Sequence, residues 1–174
     1  MPARQCRMAS TGSRSLRVLA LIPDAFGSQG GISKFTRDLL GALCAHPACA
    51  EVVALPRLMP GAPGTLPAKL TWITAGLGGK LRFTVAAAKC ARRKPAGPIA
   101  GTAGRDFHPS NGFDLLICGH ISLLPAAFLA RRFMRRAPGA TGAASGPLVL
   151  TMHGLEVWEP HRSALVRSLA RRPD

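Results

Sequence analysis

The fold is decided by LRVLALIPDAFGSQGGISKFTRDLLGAL, residues 16–43. Val18-Leu19-Ala20-Leu21-Ile22 is a short unbroken apolar run, the pattern of a strand covered on both faces in a parallel sheet. Pro23 ends it, and Gly27, Gly30 and Gly31 follow in a loop. A helix is expected from about Ser33, with Phe35, Leu39, Leu40 and Leu43 at helical spacing. A glycine loop between a buried strand and a helix gathers unpaired N–H groups at the positive end of the helix dipole. Such a place suits a phosphate or a carboxylate. The same glycines also suit a tight turn selected for packing alone.

Outward from this unit the pattern repeats. Glu51-Val52-Val53-Ala54-Leu55 reads as a second strand stopped by Pro56, and Leu70 to Thr74 as a third. Residues 59–67 are a Pro/Gly loop, and Gly76, Gly78 and Gly79 a turn. A helix is expected from Lys80 to Arg93, with Leu81, Val85, Ala88 and Cys90 inward and a basic end. Phe113 to Cys118 reads as a fourth strand, ending in Gly119-His120. A helix from Ser122 to Arg136 follows, its apolar stripe being Ala126, Leu129, Ala130 and Phe133. Pro147 to Thr151 is a fifth strand, ending in Met152-His153-Gly154, and His161 to Arg172 starts a last helix. Residues 1–15 read as a disordered basic leader, 95–112 as a flexible insertion and 137–147 as a linker. This alternation predicts an α/β fold: a Rossmann-like open parallel sheet with helices on both faces, over residues 16–172. Ligands of such sheets bind beyond the carboxyl ends of the strands, where the glycine loop, Gly119-His120 and His153-Gly154 all fall.

The 174 residues suit one domain with its own core. The net charge of +15 predicts attraction to anionic partners, although 18 of the 23 basic residues are Arg, as biased codon usage also gives. Five cysteines, an odd number with no CxxC pair, read as reduced thiols in a cytoplasmic protein. Cys44, His46 and Cys49 match no zinc spacing and lack a fourth ligand, so no metal is expected. No apolar run reaches membrane-spanning length.

Several chemistries fail on their motifs. The loop is not GxGxxG, and the second strand ends in Arg57 rather than an acid, which disfavours NAD and leaves only a 2′-phosphate reading for Arg57. There is no GxxxxGK[ST] and no GxSxG. Basic and aromatic residues do not interleave, so no specific nucleic acid is expected.

Three segments resemble glycosyltransferase family 4, in that family's order: FGSQGGISKFTRDLLGAL, DLLICGHISLLPAAFLARR and PLVLTMHGLEVWEP. The last is the most specific, and residues 95–111 depart from the pattern. The resemblance implies the N-terminal, acceptor-side half of a GT-B fold, whose donor-binding C-terminal domain is absent from this chain. It implies transfer of a sugar from a nucleotide-diphosphate sugar to a glycan or lipid acceptor, with retention and with no cofactor or metal. Gly30 and Gly31 are then expected to approach the donor diphosphate, His120 to act beside the transferred sugar, and His153 and Glu156 to line the acceptor side. The charge on the diphosphate calls for cations that the family supplies from its second domain, so this chain alone is expected to be inactive. The expected place is the cytoplasm, with peripheral contact at the inner membrane face. The alternative is a non-catalytic basic module for anions or an anionic membrane surface, using Arg131, Arg132, Arg135, Arg136 and the leader arginines.

Overall fold

The computed structural model describes residues 16–93, 112–134, 146–154, 158–159 and 161–172. The leader, the insertion up to residue 111, most of the linker, Arg135, Arg136 and Glu156 lie outside the described residues. Five strands form one parallel sheet: β1 (Leu16–Ile22), β2 (Cys49–Pro56), β3 (Leu70–Trp72), β4 (Leu115–Cys118) and β5 (Leu148–Leu150). Their spatial order is β3-β2-β1-β4-β5. The order reverses between β1 and β4, which sets the switch-point crevice at the carboxyl ends of these two strands.

Four helices cover the sheet: α1 (Gly31–Ala45), α2 (Lys80–Ala91), α3 (Leu124–Phe133) and α4 (Ala164–Ala170). Alternation along the central strands builds two cores. Val18, Ala20, Ile22, Val52 and Ala54 point toward Leu40 and Cys44 of α1. Leu19, Leu21, Val53, Leu55 and Leu116 point toward Phe83 of α2 and Leu124 and Ala127 of α3. The fold is therefore the expected α/β architecture, with helices on both faces.

Beyond Phe35 and Leu129, expected on the apolar faces of α1 and α3 yet 45% and 38% exposed, three details differ from the sequence reading. First, α2 is rotated: Leu81 is 80% exposed and Val85 45%, while Phe83, Ala86, Ala87, Cys90 and Ala91 are buried. One large ring and a run of small residues let α2 approach both the sheet and α3 closely, and this seam wins over the leucine and valine. Second, β3 stops at Trp72, and a 3-10 turn over Thr74–Gly76 follows. Third, α3 is preceded by a 3-10 turn over Ile121–Leu123, and Pro125 occupies its first turn, where the missing N–H costs nothing.

The amino ends of the strands are tied by an ionic clamp that the sequence did not announce. Arg17 is 3% exposed, and its Nε and Nη2 donate to Glu51 Oε2 at 3.1 and 2.7 Å. Its Nη1 donates to the Gly112 carbonyl at 2.9 Å, and its guanidinium lies 4.9 Å from the centre of the Phe113 ring. Gly112 thus belongs to the folded body rather than to the insertion. No described helix is long and apolar enough to cross a membrane.

Candidate functional site at the carboxyl edge of the sheet

The glycines of the first loop do different jobs. At Gly27 a Cβ would lie 2.8 Å from Met59 Cγ and 2.9 Å from the Gly61 carbonyl oxygen, so this glycine packs the β1–α1 loop on the β2–β3 loop. Gly30 has φ 140° and ψ 165°, a region that only glycine enters readily. Gly31 has no positive φ, and a Cβ there would meet nothing within 4 Å. The space before the helix is therefore open. The first helical bond of α1 runs from the Lys34 N–H to the Gly30 carbonyl at 2.8 Å, which leaves the N–H groups of residues 31–33 without a helical acceptor. No side chain caps this end, and its first turn holds no acid. Gly79 opens α2 with the same backbone, φ 140° and ψ 166°, again without a side-chain cap.

The loop leading to α1 is braced from three sides. Asp24, 6% exposed, accepts from the N–H of Ala25 at 2.7 Å and of Gly27 at 3.3 Å through Oδ1. Arg37, on the second helical turn, donates to the Ala25 and Ser28 carbonyls, each at 3.1 Å. The Ser28 and Ser33 hydroxyls lie 2.7 Å apart. The backbone that presents Gly30 and Gly31 is thus preorganised. Asp24 and Arg37 were not singled out by sequence for this work. An arginine on a helix face reads as solvated until the loop is seen folding back over it.

Gly119 sits hard against β1: its N–H donates to the Leu21 carbonyl at 2.7 Å, and a Cβ would be 3.1 Å from Ile22 Cγ2. This brings His120 to the end of β1. The His120 Nδ1 accepts from the Ser122 N–H at 3.1 Å and lies 2.9 Å from its hydroxyl. An N–H donor at Nδ1 places the ring proton on Nε2, so His120 carries a donor there. On the far side of β4, the Thr151 N–H donates to the Cys118 carbonyl at 2.9 Å and holds the end of β5 in line. His153 then meets α1: its ring centroid lies 4.9 Å from that of Phe35, edge-on, one turn from Gly31.

Among the described residues, four buried side-chain polar atoms lack a hydrogen-bond partner: Asp24 Oδ2, Arg57 Nε, Trp72 Nε1 and His153 Nε2. All four lie at or just past the carboxyl end of a strand: β1, β2, β3 and β5 in turn. Buried polar atoms are normally satisfied, so this edge holds unspent hydrogen-bonding capacity. Gly30, Gly31, His120 and His153 are all on it, as the sequence reading placed them. Among the described residues no three His, Cys, Asp or Glu side chains gather as a metal set. Burial pushes the Cys44 and Cys49 thiols above their usual range, which makes them poor thiolate donors beside His46. Comparison with protein-family models, characterised proteins and solved structures finds no significant match for this chain.

Proposed function

We propose that this domain forms the acceptor-side wall of a glycosyl-transfer site that moves a sugar from a nucleotide-diphosphate sugar to a hydroxyl of a glycan or lipid. The observation that carries the reading is the open, uncapped end of α1 at the switch point, entered through Gly30 and Gly31 and flanked by His120 and His153. Backbone N–H groups and the helix dipole there suit the charge that develops on a leaving diphosphate. His120, with its proton on Nε2, donates a hydrogen bond to a sugar oxygen; it is not a base at that nitrogen. Asp24 and Arg37 hold the loop in register. The unpaired polar atoms along this edge, Asp24 Oδ2 and His153 Nε2 among them, suit a ligand rich in hydroxyl and phosphate groups. The three-segment resemblance to glycosyltransferase family 4 supports the same assignment. In that family the cations and carboxylates of the donor side come from a second domain, so the residues described here supply the acceptor side of the site.

Saturation-transfer NMR on the purified chain tests this. UDP-glucose, GDP-mannose and NAD are offered in turn, each against the unmodified chain and against His120→Asn. The expected result is saturation of the sugar protons of a nucleotide sugar, lost in His120→Asn, with weaker signals from NAD. Equal signals from NAD, or signals that His120→Asn leaves intact, would contradict the assignment.

A further inference from the structure

Among the described residues five arginines are buried or half-buried. Arg17, Arg37, Arg131 and Arg167 donate to a carboxylate or to backbone carbonyls. The Arg57 guanidinium donates to nothing: its Nε is enclosed without a partner, and no hydrogen bond or ion pair engages Nη1 or Nη2. Those two nitrogens are not enclosed, so they present a planar fork of N–H donors at the surface. Asp24, just past the end of the neighbouring strand, does not neutralise the charge: its Oδ1 is spent on the loop and its Oδ2 is unpaired. A half-buried cation without a counter-charge is costly to hold, and an oxyanion is what a planar fork of this kind pairs with.

Strand register fixes where this fork stands. Ile22 pairs with Pro56 on one side of β1, and Leu21 with Cys118 on the other. Counting on from those pairs, Arg57, Pro23 and His120 form one row across the ends of β2, β1 and β4. The pairing persists up to that row. The Arg57 N–H donates to the Ile22 carbonyl at 2.9 Å, the Leu58 N–H to the Pro23 carbonyl at 2.8 Å and the Gly119 N–H to the Leu21 carbonyl at 2.7 Å. Alternation sets the row in phase with Leu21, Leu55 and Cys118, which belong to the core under α2 and α3. The entry to α1 through Gly30 and Gly31 belongs to the opposite face. Two inter-strand spacings separate the backbones of Arg57 and His120, about 10 Å, with only the Pro23 position between them.

We propose that Arg57 is a specificity residue for an acidic sugar: Nη1 and Nη2 take a carboxylate or phosphate monoester on the acceptor, while His120 meets the same ligand at the other end of the row. That the ligand is the acceptor rests on the glycosyl-transfer reading; that an oxyanion group of a sugar binds at Arg57 does not. The diphosphate of a donor is held elsewhere, at the end of α1. The 2′-phosphate of a dinucleotide is a poorer match, because the first loop is not GxGxxG.

Titration of the ¹⁵N-labelled chain, with arginine Nε–Hε signals recorded beside the amides, tests the proposal. Glucuronate, glucose 6-phosphate, glucose and inorganic phosphate are added in turn. Saturable shifts are expected at the Arg57 Nε–Hε and at the Arg57, Leu58 and His120 amides with the two acidic sugars, with none from glucose and weaker binding of inorganic phosphate. Arg57→Gln should weaken both acidic sugars at least about tenfold. Arg57→Lys, which keeps the charge but lacks the fork, should weaken them less. Unchanged amide spectra away from the row confirm that both variants are folded. UDP-glucose should shift Gly30 and Gly31 equally in Arg57→Gln and in the unmodified chain. Acidic sugars that bind Arg57→Gln as tightly as the unmodified chain, or that bind neither, would overturn the assignment. So would inorganic phosphate binding as tightly as glucose 6-phosphate, which would make this a site for free phosphate. Loss of the UDP-glucose shifts in Arg57→Gln would also overturn it, by moving Arg57 to the donor diphosphate. Acidic sugars bound at Arg57 with no UDP-glucose shifts in either protein would support the oxyanion site and refute the glycosyl-transfer reading.

Discussion

Gly31→Ala separates a packing glycine from a ligand glycine, because the two roles predict opposite outcomes. The residue is the first of α1, its φ is not positive, and an added methyl meets nothing within 4 Å. The substitution therefore has no steric penalty, and it restricts the unfolded chain. It should stabilise the domain by about 0.4–1 kcal/mol. With a urea slope near 2 kcal/mol/M this moves the midpoint up by roughly 0.2–0.5 M. A helical Cβ tilts toward the N-terminus, so the methyl enters the open space before the helix. Binding of an anion at the Gly31 to Ser33 N–H groups should weaken at least about tenfold, roughly 1.4 kcal/mol. Urea unfolding reads the first quantity, and ³¹P line broadening of inorganic pyrophosphate reads the second. Greater stability with lost binding is the expected pair. A less stable Gly31→Ala would mean that the position is packed, and pyrophosphate binding equal to that of the unmodified chain would mean that the open space is not a ligand's.

Gly30→Ala should behave differently: with φ 140° and ψ 165° it should lose about 1–3 kcal/mol in the same urea experiment. Arg17→Met leaves Glu51 without its guanidinium; with the Glu51 side chain 17% exposed, the loss should be about 2–4 kcal/mol, and Arg17→Met/Glu51→Leu should recover most of it in thermal melts. The Cys44, Cys49 and Cys90 thiols are raised above 9.0, first of all by burial, so the folded state holds protons that the unfolded state releases. Stability should then be full below pH 9.0 and fall as the pH rises above it, and native protein should react slowly with a disulfide reagent until urea is added.

The sheet was legible because its central strands are buried on both faces and so are written as apolar runs. Val18 to Ile22 and Val52 to Leu55 could be read no other way once Pro23 and Pro56 closed them. The helix phases were less legible. In α2, leucine and valine outrank alanine in any hydrophobic count, yet the alanines face inward because close approach to α3 needs small side chains. At the candidate site, strand ends and glycines gave away Gly30, Gly31, His120 and His153. Asp24 and Arg37 stayed hidden, because their work is local hydrogen bonding to a loop whose path no periodicity encodes. Arg17 and Glu51 stayed hidden for a related reason: they are 34 residues apart, and only the pairing of β1 with β2 brings them together.

The most direct test of the carboxyl-edge site is amide chemical-shift mapping of the ¹⁵N-labelled chain during titration with UDP-glucose. The account predicts progressive, saturable shifts at Gly30, Gly31, Ile32 and Ser33 and at His120, with the amides of the α2–α4 outer surface unmoved. Shifts confined to that outer surface, or none at the end of α1, would contradict it.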